Sequence, residues 1–452
     1  MRLPRLTWAL ALCAGVTAGA ADAETRLSPE EMRVAAQILL DTGEPGRTLE
    51  LVDALLSRDP GDVQALILKS QALRDLERTD EAQAAARSAW RLAGEDRLRF
   101  GSAMVMAQAL ASDERRTAAQ LWLRRAAEVA PDPGARAEAE EAFTYVRSRN
   151  PWVFDFHFSA SPSSNVNNGS RRNSFWFYGF PVDLSGAARA LSGYEATAGV
   201  TATYRLLPGE YSTTELRFSA MQKSVWLSSE AKRIAPGATG SDFAYSAIEA
   251  GIRHQIDPVQ SPFGIGLGAT FGHNWYGGED LSDYLQLQAE FDRSIGRRDA
   301  VQLAFAAERN WRRDSTLQSS DEAKADFGWV RQLANRDRLQ AEIGLARTWS
   351  RSVEMAHDAQ SLRLGWTKAE PVQGIRLSAG VEFERRDYDR SRYAPGGRQD
   401  DRLSANLSMT FEQVDYMGFV PTLQVTAGET RSNVGLFDAR DFGLSLGFES
   451  AF

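Results

Sequence analysis

The sequence predicts a multidomain α + β chain: α-helical repeats first, then a 14-stranded antiparallel β-barrel built to span a membrane. Three observations carry that expectation. Apolar residues keep a helical spacing as far as "RSRNPW" at 147–152 and a spacing of two beyond it. The period-two segments can be counted, and there are fourteen, an even number. The connectors between them alternate short and long, which a soluble sandwich or propeller has no reason to do.

At the start, "MRLPRLTWALALCAGVTAGAADAE" sets Arg2 and Arg5 before an apolar run from Leu6 to about Val16, followed by small residues. This is the design of a secretory signal peptide over 1–20, with cleavage after Ala20 or after Ala23, and its core is too short to cross a bilayer. The single cysteine, Cys13, lies inside that run. Leu12 stands where a lipid-attachment signal would have a small residue, so Cys13 reads as a packing residue of a discarded segment. The mature chain then has no cysteine and needs no disulfide in an oxidising compartment. Losing Arg2 and Arg5 leaves 50 basic residues against 60 acidic ones. No Lys/Arg-rich tract appears, so no nucleic-acid partner is expected.

The helical part contains an internal repeat. "RDPGD" at 58–62 and "LAGED" at 92–96 close corresponding segments, with Pro60 and Gly94 34 residues apart; "VAPDP" at 129–133 closes a longer third segment. Leu73 falls on the first helix of one unit, with Ala82, Ala86 and Ala89 on the second. Ala107, Leu110, Ala119, Leu123 and Ala126 take corresponding places in the next. Small residues let paired helices approach closely, and a helix-breaking Pro or Gly closes each unit. The spacing resembles the tetratricopeptide repeat, with Thr48 where a small apolar residue is usual. Roughly three repeats over residues 28–148 are near the minimum for a stable stack. Their concave side would present Gln37, Asp41, Gln71, Arg74, Asp75 and Gln108 as a groove for a peptide or protein segment. The plainer reading of any one of them is a solvated face.

From Trp152 to the end, 152–452, strands are expected at 152–160, 191–206, 211–226, 241–255, 262–275, 282–295 and 300–312. The rest fall at 321–333, 337–350, 357–369, 373–386, 399–413, 418–430 and 438–452. In "WVFDFHFSA" Trp152, Phe154, Phe156 and Phe158 share one face, and Asp155, His157 and Ser159 the other. Connectors after even-numbered strands are short, such as "GRRD" and "LANRD"; those after odd ones are generally longer and polar, such as "SSEAKRIAPGATGSD". Trp275, Trp311 and Trp349 fall near the long-loop ends of strands, and Trp329 and Trp366 near the short-turn ends, the positions of two aromatic girdles. Dyad repeat, loop asymmetry and even count describe a bacterial outer-membrane barrel, with the helical domain on the periplasmic side.

Chemistry is hard to find. His157, His254, His273 and His357 are scattered singly, and no pair has metal-ligand spacing, so no metal, cofactor or enzymatic activity is expected. "GIGLGATFG" at 264–272 puts Gly264, Gly266, Gly268 and Gly272 on one face of a strand. No helix follows to offer its N-terminus to a phosphate, which leaves room in the lumen or strand curvature as its meaning. The longest loop, about 161–190, is Asn-rich at its start and aromatic at its centre, suited to the lumen, to a passenger or to a plain surface.

Taken together, a tetratricopeptide-like domain, then "NPWVFDFHFSASPSSNVNN", then a barrel ending "GFVPTLQVTAGETRSNVGLFDARDFGLSLGFESAF" resembles the surface lipoprotein assembly modifiers. The most specific elements are Ser164-Asn165-Val166-Asn167, Gly418-Phe419-Val420-Pro421, and Ser432-Asn433. The resemblance implies an outer-membrane factor that helps partner proteins, lipid-anchored or soluble, reach the cell surface or medium. The barrel would be the conduit and the repeats would engage the passenger. Expected partners are that passenger, outer-membrane lipids and the barrel-insertion machinery, around a monomer. Exopolysaccharide exporters also join periplasmic repeats to a barrel and are the alternative reading; a diffusion porin is the third, and it leaves the repeats unexplained.

The final segment, "DFGLSLGFESAF", places Phe442, Leu444, Leu446, Phe448 and Phe452 in one apolar phase. Pairing with the first strand would close the barrel and leave no free edge in lipid. The terminal Phe452 resembles the C-terminal signal by which outer-membrane barrels are recognised for insertion.

Overall fold

The computed structural model describes residues 27–206, 209, 211–257 and 262–450. The expected signal peptide, Cys13 and Phe452 lie outside these. Two compact units divide the chain, one ending at Asp113 and the other beginning at Glu114.

Among the described residues the first unit holds five helices: α1 (Pro29–Asp41), α2 (Pro45–Arg58), α3 (Val63–Asp75), α4 (Thr79–Leu92) and α5 (Asp96–Ser112). Their starts follow from local chemistry. Ser28 and Glu31 form a reciprocal capping box ahead of Pro29, and Asp62 accepts from the Ala65 amide at 3.0 Å to open α3. Small residues at the crossings are buried as the repeat predicts: Ala82, Ala86, Ala89, Ala107 and Leu110 are all at most 2% exposed. Leu73, Ala82, Ala85 and Ala109 pack into one cluster joining α3, α4 and α5. The 34-residue period appears directly, because Arg74 bonds Gln108 at 2.5 Å and Thr79 bonds Asp113 at 3.3 Å. Thr48 is fully buried, its hydroxyl donating to the Ala36 and Glu44 carbonyls at 3.3 and 3.1 Å. A hydroxyl that finds backbone acceptors substitutes for the usual small apolar residue at little cost.

The second unit begins with α6 (Arg116–Glu128) and α7 (Pro133–Arg149), packed through Ala119, Leu123, Ala139 and Phe143. Next comes β1 (Trp152–Ser163), and then a long loop carrying a small hairpin of β2 (Ser174–Phe177) and β3 (Phe180–Asp183). The barrel continues with β4 (Gly193–Arg205) and β5 (Ser212–Leu227), then, beyond the short helix α8 (Ser229–Ile234), β6 (Tyr245–Ile256), β7 (Phe263–Tyr276), β8 (Glu279–Ile295) and β9 (Asp299–Arg312). It is completed by β10 (Ser320–Gln332), β11 (Arg338–Ser350), β12 (His357–Thr367), β13 (Ile375–Tyr388), β14 (Arg398–Phe411), β15 (Phe419–Ser432) and β16 (Ala439–Ser450). β1 and β4–β16 close a barrel of fourteen antiparallel strands in sequential order, β16 returning to β1.

One connector departs from the expected alternation. β7 and β8 are joined on the long-loop side by a two-residue turn, Gly277-Gly278, both with positive φ (+62° and +86°). Only such residues make the mirror-image turn that matches strand twist, so both strands extend beyond the predicted 262–275 and 282–295.

Phe156, Phe158, Ile248, Leu267, Phe291, Phe305, Ile343, Leu364, Phe383 and Leu446 are all exposed on the outside of the barrel. Facing water, this belt would be ruinous; facing lipid, it is what a spanning barrel needs. At the short-turn end two outward tryptophans are pinned alike: Trp329 donates to Asp299 at 3.1 Å and Trp366 to Asp337 at 3.2 Å. On the inner face of β7 the glycines are covered by neighbours. The Tyr284 ring lies so close that a Cβ on Gly272 would sit 2.3 Å from its Cζ, while Gln255 and Arg253 lie over Gly266. The glycine face is therefore room for adjacent side chains.

Candidate functional site

The junction of β1 and β16 differs from every other seam. β1 pairs with β4 continuously from Trp152–Tyr204 to Ser163–Gly193, and β15 with β16 from Phe419–Ser450 to Thr430–Ala439. Between β1 and β16 the register rests on Ser159–Gly447, Ala160–Leu446 and Ser163–Gly443. In that register Phe156–Phe158 face Phe448–Ser450 without pairing, while the positions opposite Trp152–Asp155 lie outside the described residues. Pro162, which has no N–H to donate, sits within the paired stretch. On the lipid side this stretch is screened by an aromatic column: Trp152 stacks on Phe154 at 5.7 Å, Phe154 on Phe156 at 6.5 Å, and Trp152 meets Tyr204 at 4.9 Å. Phe442, Leu444, Leu446 and Phe448 face outward beside it, as their phase predicts.

At the long-loop end a clasp spans the junction. The Ser164 amide donates to the Phe442 carbonyl at 3.3 Å, and the Phe442 amide to Ser164 Oγ at 2.9 Å. Ser170 Oγ donates to the Gly435 carbonyl at 2.9 Å, and Arg172 meets buried Asp438 at 2.6 Å. The Asn residues singled out from sequence shape this loop. Asn165 exchanges bonds with Gly169 at 2.9 and 3.0 Å; Asn167 donates to the Ala187 and Arg189 carbonyls and accepts from the Leu191 amide at 2.8 Å. Val166 and Leu191 then join Val225, Leu227, Ala231 and Phe243 in an apolar cluster with the next loop. Ser432 and Asn433 do the same work opposite: Ser432 Oγ accepts from the Val434 amide, and Asn433 ties the loop to Gln399 and Gly397. Pro421 stands opposite Phe448 in β15.

At the short-turn end the hold comes from helix α6, which sequence reading did not single out. Arg124, buried, donates from Nη1 to the Met417 and Gly418 carbonyls, both at 3.0 Å, and from Nη2 to Ser450 Oγ at 2.7 Å. Its guanidinium lies between the Phe143 and Phe419 rings, 4.9 and 4.6 Å from their centroids. Burial lowers its pKa to about 10, with Arg147 adding to the effect and Asp415 opposing it, so it stays charged at neutral pH. Glu128 accepts from the Met417 amide at 2.8 Å, and Arg136 pairs with Asp415. Because α7 runs directly into β1, this helical pair holds both seam strands. Arg124 falls well off the helix phase of Ala119, Leu123 and Ala126, so the repeat pattern does not mark it.

The concave-face residues divide. Arg74 binds Asp75 at 2.7 Å and Gln108 at 2.5 Å, and the carboxamide oxygen of Gln71 is buried without a hydrogen-bond partner. Gln37 donates to Asp41 at 2.9 Å on an exposed turn of α1. Lumen charges are largely consumed in pairs: Arg363 lies between Glu342 and Glu382, and Arg253 meets Glu290 at 2.6 Å. His273 bonds Asp283 at 2.6 Å and His254 bonds Thr214 at 2.8 Å. Among the described residues no group of His, Cys, Asp and Glu could hold a metal ion.

A closed 14-strand barrel with an outward apolar belt, preceded in the chain by helical repeats, defines a transmembrane barrel of the outer-membrane type. Residues 152–452 match the family model described as surface lipoprotein assembly modifier, and the chain belongs to that family. No curated protein matches the sequence. Among solved structures, the chain is similar to an outer membrane channel from Pseudomonas putida (12% identity, 66% of this chain and 94% of that one, TM-score 0.32). It is also similar to OmpT of Vibrio cholerae (11%, 66% and 98%, TM-score 0.35). The type III secretion translocator chaperone SycD of Yersinia enterocolitica is a third (15%, 30% and 96%, TM-score 0.24).

Proposed function

We propose that this protein carries partner proteins, lipid-anchored or soluble, across the outer membrane, acting as a conduit without chemistry of its own. The long-loop end faces outward, and the helical repeats lie in the periplasm and engage the passenger. Supporting this placement, both strand termini of an even-numbered barrel fall on one end, and outer-membrane barrels keep their short turns periplasmic. The observation that carries the reading is the β1–β16 seam, which has three register pairs among the described residues and a separate hold at each end. Backbone groups left unpaired in lipid are costly, so the stretch already lacking pairs is where opening costs least. Release of the holds would let a passenger leave sideways. The polysaccharide-conduit alternative gains nothing from a lumen whose charges pair off. Deleting the gene and comparing surface and secreted proteomes tests the function. One or a few exported proteins should disappear; loss of a surface polysaccharide with the proteome intact would contradict it.

A further inference from the structure

Arginines recur on the outside of the barrel just above its apolar belt. Arg309, Arg347 and Arg385 lie 38 residues apart and share the outward phase of Phe305, Leu345 and Phe383. Each is matched by an outward carboxylate on the next strand: Asp321, Asp358 at 3.5 Å and Asp401 at 2.7 Å. At the seam this one-to-one pairing fails. Glu429 alone receives three guanidinium groups, from Arg171 at 2.5 Å, Arg440 at 3.2 Å and Arg431 at 3.3 Å. Two other carboxylates are already engaged: buried Asp438 by Arg172 at 2.6 Å, with Arg171 4.0 Å away, and Asp401, opposite Arg431 in register, by Arg385. The cluster keeps two positive charges in excess; Arg431 and Arg440 are open, at 74% and 64% exposure, and Arg171 is partly so at 27%.

Position selects the ligand. Arg440 is one outward step beyond Phe442, so an anion here has an apolar wall of Phe442, Leu444 and Val425 directly beneath it. A molecule that satisfies both needs phosphates above and acyl chains below. We infer that Arg171, Arg431 and Arg440 bind the phosphate groups of an anionic glycolipid in the surrounding outer leaflet. Arginine's planar fork suits phosphate oxygens, and the excess charge is available to them. Arg171 follows β1, whereas Arg431 and Arg440 belong to β15 and β16, so one headgroup bridges the seam and adds to the clasp. This rests on the long-loop end facing outward.

The test uses the full chain in nanodiscs of neutral phosphatidylcholine, titrated with bisphosphorylated lipid A. Combining Arg431→Glu with Arg440→Glu should weaken binding on the order of tenfold or more, and Glu429→Gln should tighten it about fivefold. Inorganic phosphate and dephosphorylated lipid A should not compete. Unchanged affinity in the double variant, with heat-modifiable migration proving a folded barrel, overturns the site; so does no tightening with Glu429→Gln, or full competition by inorganic phosphate. Orientation is read separately: Gly179→Cys, the sole cysteine of the mature chain, should react with an impermeant maleimide on intact cells. Failure there overturns the outward placement and leaves the nanodisc result standing.

Discussion

Arg124 shows how one buried cation can join two kinds of structure. Three hydrogen bonds and two ring faces offset the cost of taking a guanidinium out of water. Arg124→Ala strands the Met417 and Gly418 carbonyls, which should cost about 2–4 kcal/mol at this contact. Limited proteolysis should then cut within residues 116–149 while the barrel band on unheated gels persists. Arg124→Lys keeps the charge but not the fork, so an intermediate cutting rate is expected. Wild-type resistance in the alanine variant would mean that the helices dock by other contacts. No sequence pattern reveals this residue, because its partners are backbone carbonyls and a hydroxyl nearly three hundred residues away or more. Asn165, Asn167, Ser432 and Asn433 were legible from the family resemblance; their work, fixing loop backbone beside the seam, was not.

At the scale of elements, the strands were the most readable part of the chain, since alternation of apolar and polar residues is dictated by a wall between lipid and lumen. Expected and observed limits differ by a few residues, as for 211–226 against Ser212–Leu227. What alternation cannot reveal is structure inside a connector: the hairpin Ser174–Asp183 and helix Ser229–Ile234 are too short and too dependent on neighbouring loops to leave a period. The change from helix to strand falls at Asn150–Trp152, but compactness divides the chain between Asp113 and Glu114. The physical reason is the docking of α6 and α7 on the barrel through Arg124, Arg136 and Glu128. Two truncations separate these boundaries. A chain starting at Glu114 should melt within a few degrees of the full-length barrel, and one starting at Pro151 lower by on the order of 5 °C. Equal melting temperatures would show that the helical pair adds nothing to the seam strands.

For the whole molecule, three features act together: a barrel closed by a short seam, a clasp above it made by the first and last loops, and a helical clamp below it. Each is weak in a different way. The clasp is polar and exchangeable with water, the clamp centres on one buried cation, and among the described residues the seam rests on three register pairs. A barrel meant only to be a wall would pair this junction as fully as the others. The direct test is a reversible lock. Ala160 and Leu446 are register partners on the lipid face, and Val425 and Leu444 are the equivalent pair one seam away. Ala160→Cys with Leu446→Cys, oxidised to a disulfide, should abolish surface delivery of the passenger and recover it on reduction. Val425→Cys with Leu444→Cys should leave delivery unchanged under both conditions. Undiminished delivery with the β1–β16 disulfide fully formed would contradict the seam as the route.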